Sequence, residues 1–321
     1  MAGRSCNWAC VVRWCMLVYE AVSAPFYISV VVVLLLKRNH PDLSSSFFRI
    51  LVSIGIADNL HILLRLSLRT VAGLVYHYWP ESRVFFESLE FNTASAAIRA
   101  WGIYFVQMFG TAVLLTLNRL TAVLYPLTFE HMWSGRKMRL AILVQWLWIL
   151  PFALPQLHPC CHSYLYSNVT MAPDFEDPRV SSLMWSIDIV LETVLCVPFV
   201  VVSYTVMVKK LYDHRREGER VGHFRIRKEL NSRKKTVSAL TTSVELRCMI
   251  IGLILSICYV FLDVCWVYRW WFGRYYNDLH SVLTVIFRDL VNLLNPYLLI
   301  IFSSPFRTVY VQVISCGYLK L

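Results

Sequence analysis

Apolar residues run along this chain in seven long blocks, and the short segments between them hold most of the charge. The blocks lie at about 14–36, 47–74, 94–125, 138–154, 181–208, 246–268 and 280–302. A helix rising about 1.5 Å per residue needs about 20 apolar residues to cross a hydrocarbon layer of about 30 Å, and these blocks match that length. Barrel strands would be about ten residues long and would alternate in polarity, which these do not. Backbone groups inside lipid must be satisfied within their own segment, so each block is expected to be a helix. The pattern therefore predicts an all-α membrane protein, a seven-transmembrane helix bundle that occupies residues 1–321 as one domain. A basic loop at 209–245 and a short tail at 303–321 complete it. Gln156 to Val180, rich in Pro, Asp and Cys, is expected as a loop. Val22-Ser23-Ala24 has the look of a leader cleavage site, but the apolar run continues well beyond it and Pro25 would follow the cut. An uncleaved first span is expected.

Composition supports the membrane class. The chain is 57% hydrophobic and 16% charged, against about 25% charged for soluble domains. A net charge of +11 would suit nucleic acid as a partner, but the basic residues sit in short loops where they orient spans in a bilayer. The expected partner is the lipid bilayer and not nucleic acid. Eleven Lys and Arg residues fall between Lys209 and Lys235 alone, and Lys37, Arg38, Arg136, Lys137, Arg139 and Arg307 lie on the same side. The positive-inside rule then places the N-terminus outside and the C-terminus in the cytoplasm, at the plasma membrane as a multi-pass protein. The sequon at Asn168-Val169-Thr170, a glycosylation site, falls outside in this topology. Cys6, Cys10, Cys160 and Cys161 also fall outside, where disulfides persist, but their pairing does not follow from sequence. His158-Pro159-Cys160-Cys161-His162 is too tightly spaced for a structural zinc site, so no metal is expected.

Charge inside apolar blocks is where function is expected. Arg119 lies near the inner end of the third block, in Asn118-Arg119, shortly before Pro126. It suits a charged latch that a partner releases, or an end-of-helix Arg that snorkels to headgroups. Asp58 lies near the middle of the second block. Asn292 and Asn295 share one face of the seventh, just before Pro296, which removes a backbone hydrogen bond. Asp58, Asn292 and Asn295 are expected to form a polar network that either switches or simply joins helices. The outer half carries Glu20, Arg65, Arg69, Arg99, Asp188, Glu192, Asp263 and Arg288. Of these, Arg65, Asp188, Glu192 and Arg288 are the expected lining of a pocket for a small molecule with a polar head, Asp188 and Glu192 being one helical turn apart. Cys316 follows a short amphipathic stretch, Phe306 to Val313, and suits lipidation.

Three stretches resemble nematode chemoreceptors of the serpentine receptor class gamma superfamily. They are Thr116-Leu117-Asn118-Arg119 through Pro126 to Glu130-His131-Met132-Trp133, Ser45-Ser46-Phe47-Phe48-Arg49, and Asn295-Pro296-Tyr297 through Pro305-Phe306-Arg307. Class gamma and the related class V both fit. The resemblance implies a seven-transmembrane receptor for external chemical cues in sensory-neuron membranes, including cilia. It further implies a heterotrimeric G protein as partner, with Asn118, Arg119, Pro126, Asn295, Pro296 and Tyr297 in coupling. Relative to ordinary rhodopsin-like receptors, Asn118 replaces an acidic residue before the Arg. Tyr297 directly follows the Pro, and the third span has no Cys at its outer end.

The expected function is thus a chemosensory G-protein-coupled receptor with a small-molecule ligand bound in the bundle. A ligand-gated channel or small-solute transporter is the alternative, since intramembrane charges also line pathways, although no internal repeat is visible. No cofactor is expected. None of the eight lysines falls in the seventh block, so a retinal Schiff base has no partner there. Enzymatic chemistry is not expected, because the blocks hold no clustered His or Asp ligands at helical spacing.

Overall fold

The computed structural model describes residues 8–66, 109–148, 162–166, 171–175, 190–224, 250–262 and 278–316, with a few single positions between them. The first helix, α1, runs Trp8–Leu36 and contains Pro25. It starts six residues before the apolar block expected at 14. Its buried stripe is Glu20, Ser23, Tyr27, Val30, Val31 and Leu34, and its outward stripe is Val11, Trp14, Val18, Val22, Ile28, Val32 and Leu35. Both follow the three-and-four spacing of a helix face. The outward stripe is the more apolar of the two, which is the arrangement for a helix whose solvent is lipid.

A short turn at Pro41–Leu43 leads into α2, Ser46–Arg65. Gly55 brings α1 and α2 into close approach, because a Cβ there would meet Val31 Cγ2 at 2.6 Å. The third helix, α3, runs Phe109–Leu124. Its first part, Phe109–Leu115, is a wide π-helix and its second, Thr116–Leu124, an ordinary α-helix. A π-bulge of this kind often marks a functional segment. After a single helical turn at Phe129–Met132, α4 runs Gly135–Leu147. It sends Leu140, Leu143, Val144 and Leu147 outward and buries Met138 and Gln145.

The segment expected as a plain loop at 156–180 contains two antiparallel strands, His162–Tyr166 and Met171–Phe175, with Tyr166 opposite Met171. The described residues form a helical bundle as expected, with this short hairpin added in the segment expected as a loop. Tyr164, Leu165 and Tyr166 have the aromatic and apolar character that suits a strand, and ladder bonds satisfy their backbone outside the bundle. Asn168 falls between the strands and lies outside the described residues, as do Cys6, Cys160, Cys161 and the side chain of Cys10.

Helix α5 is a π-segment at Leu191–Cys196 followed by Val197–Phe224. It carries helical structure well past 208, into the basic stretch expected as loop. Lys209, Lys210, Leu211, Arg215, Arg216, Glu217 and Glu219 are good helix formers, and they continue a turn already nucleated in the bundle. Helix α6 is described over Ile250–Leu262. Helix α7 runs Asp278–Phe302 through Pro296.

The tail forms an eighth helix, α8, at Ser304–Cys316, which bends 96° away from α7. Ser303 makes the corner. Its amide bonds to Leu299 O at 2.9 Å, and its Oγ accepts the Phe306 amide at 3.4 Å, as an N-cap does. The Arg307 guanidinium donates back to the carbonyls of Ile300 and Ile301 at 3.2 and 3.3 Å, satisfying acceptors at the end of α7. Phe306, Val309 and Tyr310 bury one face of α8 against the bundle. The largest apolar core lies at this end, with Leu43, Phe47, Leu115, Met138, Leu255, Leu298 and Phe306 in one cluster.

By length and composition, three described helices are apolar enough to cross a membrane: Trp14–Leu36, Ser46–Leu64 and Thr193–Asp213. The others hold polar residues on the inner face or run into residues that are not described. The inner face of the bundle carries Asp58, Asn118, Arg119, Gln145, Asp289, Asn292 and Asn295, all buried.

Candidate functional site

Two clusters of these buried polar side chains stand out. The first lies at the end of α3. Arg119 is only 4% exposed. Its Nη2 donates to Asn118 Oδ1 at 2.7 Å, and its guanidinium lies over the Phe47 ring, 4.3 Å from the centroid. Asn118 Nδ2 donates to Ser46 Oγ at 2.8 Å. The arginine is therefore folded into the bundle against the start of α2, and it does not snorkel outward.

Thr121, one turn on, accepts a hydrogen bond from Trp133 Nε1 at 2.8 Å, which pins the connection after α3 back onto the helix. Between these anchors the chain turns out into solvent. Pro126 is exposed there, and Leu127 is 99% exposed. The buried Tyr204 of α5 lies among Thr116, Ser256 and Arg119. Sequence reasoning missed Tyr204 and Trp133 as partners of this end. A hydrogen-bonding aromatic at a helix end was the signal, but nothing in spacing along the chain joins residues so far apart.

The second cluster is central. Asp58 Oδ2 accepts hydrogen bonds from the Tyr27 hydroxyl and from Asn295 Nδ2, the latter at 3.2 Å. Three helices, α1, α2 and α7, thus meet on one carboxylate. Tyr27 was not anticipated; a Tyr hydroxyl inside an apolar helix, two residues after Pro25, was its only trace. Asn292 is fully buried one turn before Asn295, but neither its Nδ2 nor its Oδ1 is hydrogen bonded among the described residues. A third buried group joins α2 to α4: Ser53 donates to Gln145 Oε1 at 2.9 Å and accepts from Trp146 Nε1 at 3.0 Å. Gly110 of α3 packs directly on this pair, since a Cβ there would come within 2.3 Å of Gln145 Nε2.

Tyr297, which the resemblance implies in coupling, packs against α1. Its hydroxyl is 2.8 Å from Ser23 Oγ, and its ring packs on Phe26 with centroids 4.9 Å apart. Pro296 stands between Asn295, which faces Asp58, and Tyr297, which faces α1.

Of the residues expected to line a pocket, Arg65, Glu192 and Arg288 sit on α2, the π-segment that opens α5, and α7, with side chains outside the described residues; Asp188 lies outside them entirely. Glu20 is buried on the inner face of α1, and His61 and Asp289 are buried on α2 and α7.

The comparison with known families decides the class. A family model described as "Serpentine type 7TM GPCR chemoreceptor Srv" matches residues 16–316. The chain belongs to the Srv family of serpentine chemoreceptors. Of the two classes that fitted the sequence, class V is the one supported. A curated relative, "Serpentine receptor class V-1" of Caenorhabditis elegans, is 25% identical over 273 residues, covering 78% of this chain and 77% of that protein. Among solved structures, squid rhodopsin superposes with a TM-score of 0.71 at 14% identity, over 96% of this chain and 87% of that one. At that identity the likeness speaks to fold alone: this Srv member has the seven-transmembrane bundle of a rhodopsin-like receptor. It is a multi-pass membrane protein of a receptor family.

Proposed function

We propose that this Srv-family chain is a chemosensory G-protein-coupled receptor of the plasma membrane, N-terminus outside and C-terminus cytoplasmic, sited in sensory-neuron membranes such as cilia. A small external ligand enters between the helices and favours one of two packings by its differential affinity. In that packing the Arg119 end opens to a heterotrimeric G protein. The chain transduces and does not turn over a substrate. Arg65, Asp188, Glu192 and Arg288 are the proposed ligand contacts. Asn118, Arg119, Pro126, Asn295, Pro296 and Tyr297 are the proposed coupling elements, and Asp58, Asn292 and Asn295 are the proposed polar network that links them to the ligand.

One observation carries this reading. Arg119 is buried at the end of α3, where its guanidinium lies against the Asn118 amide oxygen and the Phe47 ring face. A guanidinium inside a bundle is expensive unless its partners are well placed, so this contact is one that a binding partner can replace. The exposed Lys209 and Lys210 of α5 and the exposed Leu127 give such a partner charge and an apolar anchor.

The test is heterologous expression with a G-protein dissociation sensor and simultaneous current recording, while nematode extracts and volatile pools are applied. The expected result is a sensor response without current, lost in Arg119→Ala at equal surface expression. A ligand-evoked current that persists without G proteins would overturn it in favour of a channel.

A further inference from the structure

Two consecutive residues in the first turn of α2, Ser46 and Phe47, reach the two consecutive residues of α3 that carry the charge. Ser46 Oγ takes the Asn118 amide nitrogen at 2.8 Å, and Asn118 Oδ1 takes Arg119 Nη2 at 2.7 Å. The Phe47 ring lies under the guanidinium at 4.3 Å. Phe47 itself is 1% exposed and sits in the main apolar core, its ring meeting Phe48 edge to face at 5.4 Å. The ring is thus held by packing in the orientation that offers its face to the cation. A desolvated cation on an aromatic face is held more firmly than an exposed one.

The amide geometry adds direction. An Asn side chain offers an acceptor at one end and donors at the other. With its NH2 committed to Ser46, Asn118 has only the oxygen to present to the guanidinium. Without Ser46 the amide is free to turn and set donors against donors.

We propose that Ser46 and Phe47 are positioning residues that keep Arg119 folded into the bundle and so keep the ligand-free receptor quiet. Phe47 holds the guanidinium through its ring face, and Ser46 aims the Asn118 carbonyl oxygen at it. What release of Arg119 does rests on the G-protein reading above; the holding itself does not.

The test replaces Phe47 in the full-length receptor by phenylalanines carrying one, two and three ring fluorines. Fluorine drains charge from the ring face while nearly preserving its size, so holding weakens stepwise without a cavity. Two quantities are read: the ligand-free G-protein signal at matched surface expression, and the thermal midpoint of the purified receptor in wild-type and Arg119→Met backgrounds. The expected result is a basal signal that climbs along the series, to about threefold for the trifluoro ring, with a midpoint that falls along the series only where Arg119 is present. Phe47→Trp should stay quiet and Phe47→Leu should match the trifluoro ring. Ser46→Ala should raise basal signal, and Ser46→Thr should restore it.

A midpoint series that is flat, or equal in both backgrounds, means that the ring only packs, and overturns the proposal. So does an unchanged basal signal in a receptor that still answers ligand. A sensor silent in every variant, together with an Arg119-dependent midpoint series, supports the holding and removes the G-protein reading instead.

Discussion

Ser23 Oγ and the Tyr297 hydroxyl lie 2.8 Å apart, so the residue directly after Pro296 ties α7 to α1. The tie is one rung of a ladder. Phe26, one turn along α1, packs against both Tyr297 and Tyr310, and the Tyr310 hydroxyl is 2.8 Å from Ser29 Oγ. One face of α1 thereby fixes α7 on one side of its proline and α8 beyond the corner.

Ring and hydroxyl contribute separately to this tie, and substitution distinguishes them. Interhelical hydrogen bonds in bilayers are worth about 0.6 kcal/mol on average, whereas truncating an aromatic ring in a packed core costs about 3–5 kcal/mol. Tyr297 is half-buried, so the ring loss should fall below that range. Tyr297→Phe should lower the thermal midpoint of the purified receptor slightly, Ser23→Ala should do the same, and the double variant should lose no more than either alone. Tyr297→Ala should lose clearly more. Equal losses for the Phe and Ala variants would assign the whole effect to the hydroxyl.

Asp58 is the acceptor for both Tyr27 and Asn295. Asp58→Ala would strand a buried hydroxyl and a buried amide, each costing about 1–3 kcal/mol. Its expected outcome is a large drop in surface expression and thermal midpoint. Asp58→Asn keeps an oxygen for one donor and should retain most of the expression. Removing the donors as well, as Tyr27→Phe with Asn295→Leu, should soften the loss seen with Asp58→Ala. If the triple variant is worse by the sum of its parts, the three side chains do not act as one unit.

The helical bundle was legible because lipid leaves the chain few choices. Long apolar runs had to become helices, and Asp58 and Asn295 had to find partners inside them. The site was less legible where the partner lies far along the chain. Nothing in local spacing sets Phe47 under Arg119 or Tyr27 on Asp58, because those contacts come from how α1, α2, α3 and α7 cross. Tyr297 is instructive. The motif beside Pro296 gave no partner for it; on a helix the next residue turns by about 100°, and that turn carries Tyr297 away from Asn295 and onto α1. The extension of α5 to Phe224 was missed because hydropathy marks the edge of lipid and not the end of a helix.

Gly252 and Tyr204 pack α6 on α5 with no room for a methyl group. A Cβ on Gly252 would lie 2.0 Å from the Tyr204 hydroxyl oxygen and 3.3 Å from its Cζ. Gly252→Ala should therefore destabilise, by about 1–3 kcal/mol as overpacking does, despite the better helix propensity of Ala. Removing the clashing oxygen with Tyr204→Phe should recover most of that loss. Thermal midpoints of the two single variants and the double variant measure the coupling; simple additivity would place the strain elsewhere.

Leu127 offers the cleanest separation of signalling from folding. It follows Pro126 in the turn between Arg119 and Trp133, and 99% of its surface is exposed, so it contributes no burial to the fold. Its neighbours on the chain are anchored, since Tyr125 bonds back to Thr121 O at 2.9 Å and Trp133 bonds to the Thr121 side chain at 2.8 Å. A presented apolar side chain between two fixed points is pre-organised for a partner's pocket, and single anchors of this kind dominate binding energy. Leu127→Asp should leave surface expression, thermal midpoint and ligand binding unchanged while cutting the ligand-evoked G-protein signal about tenfold or more, the loss expected for an anchor worth at least about 1.4 kcal/mol. Leu127→Met should keep most of the signal. A full response from Leu127→Asp would mean that the partner docks on the basic stretch of α5 without using this turn.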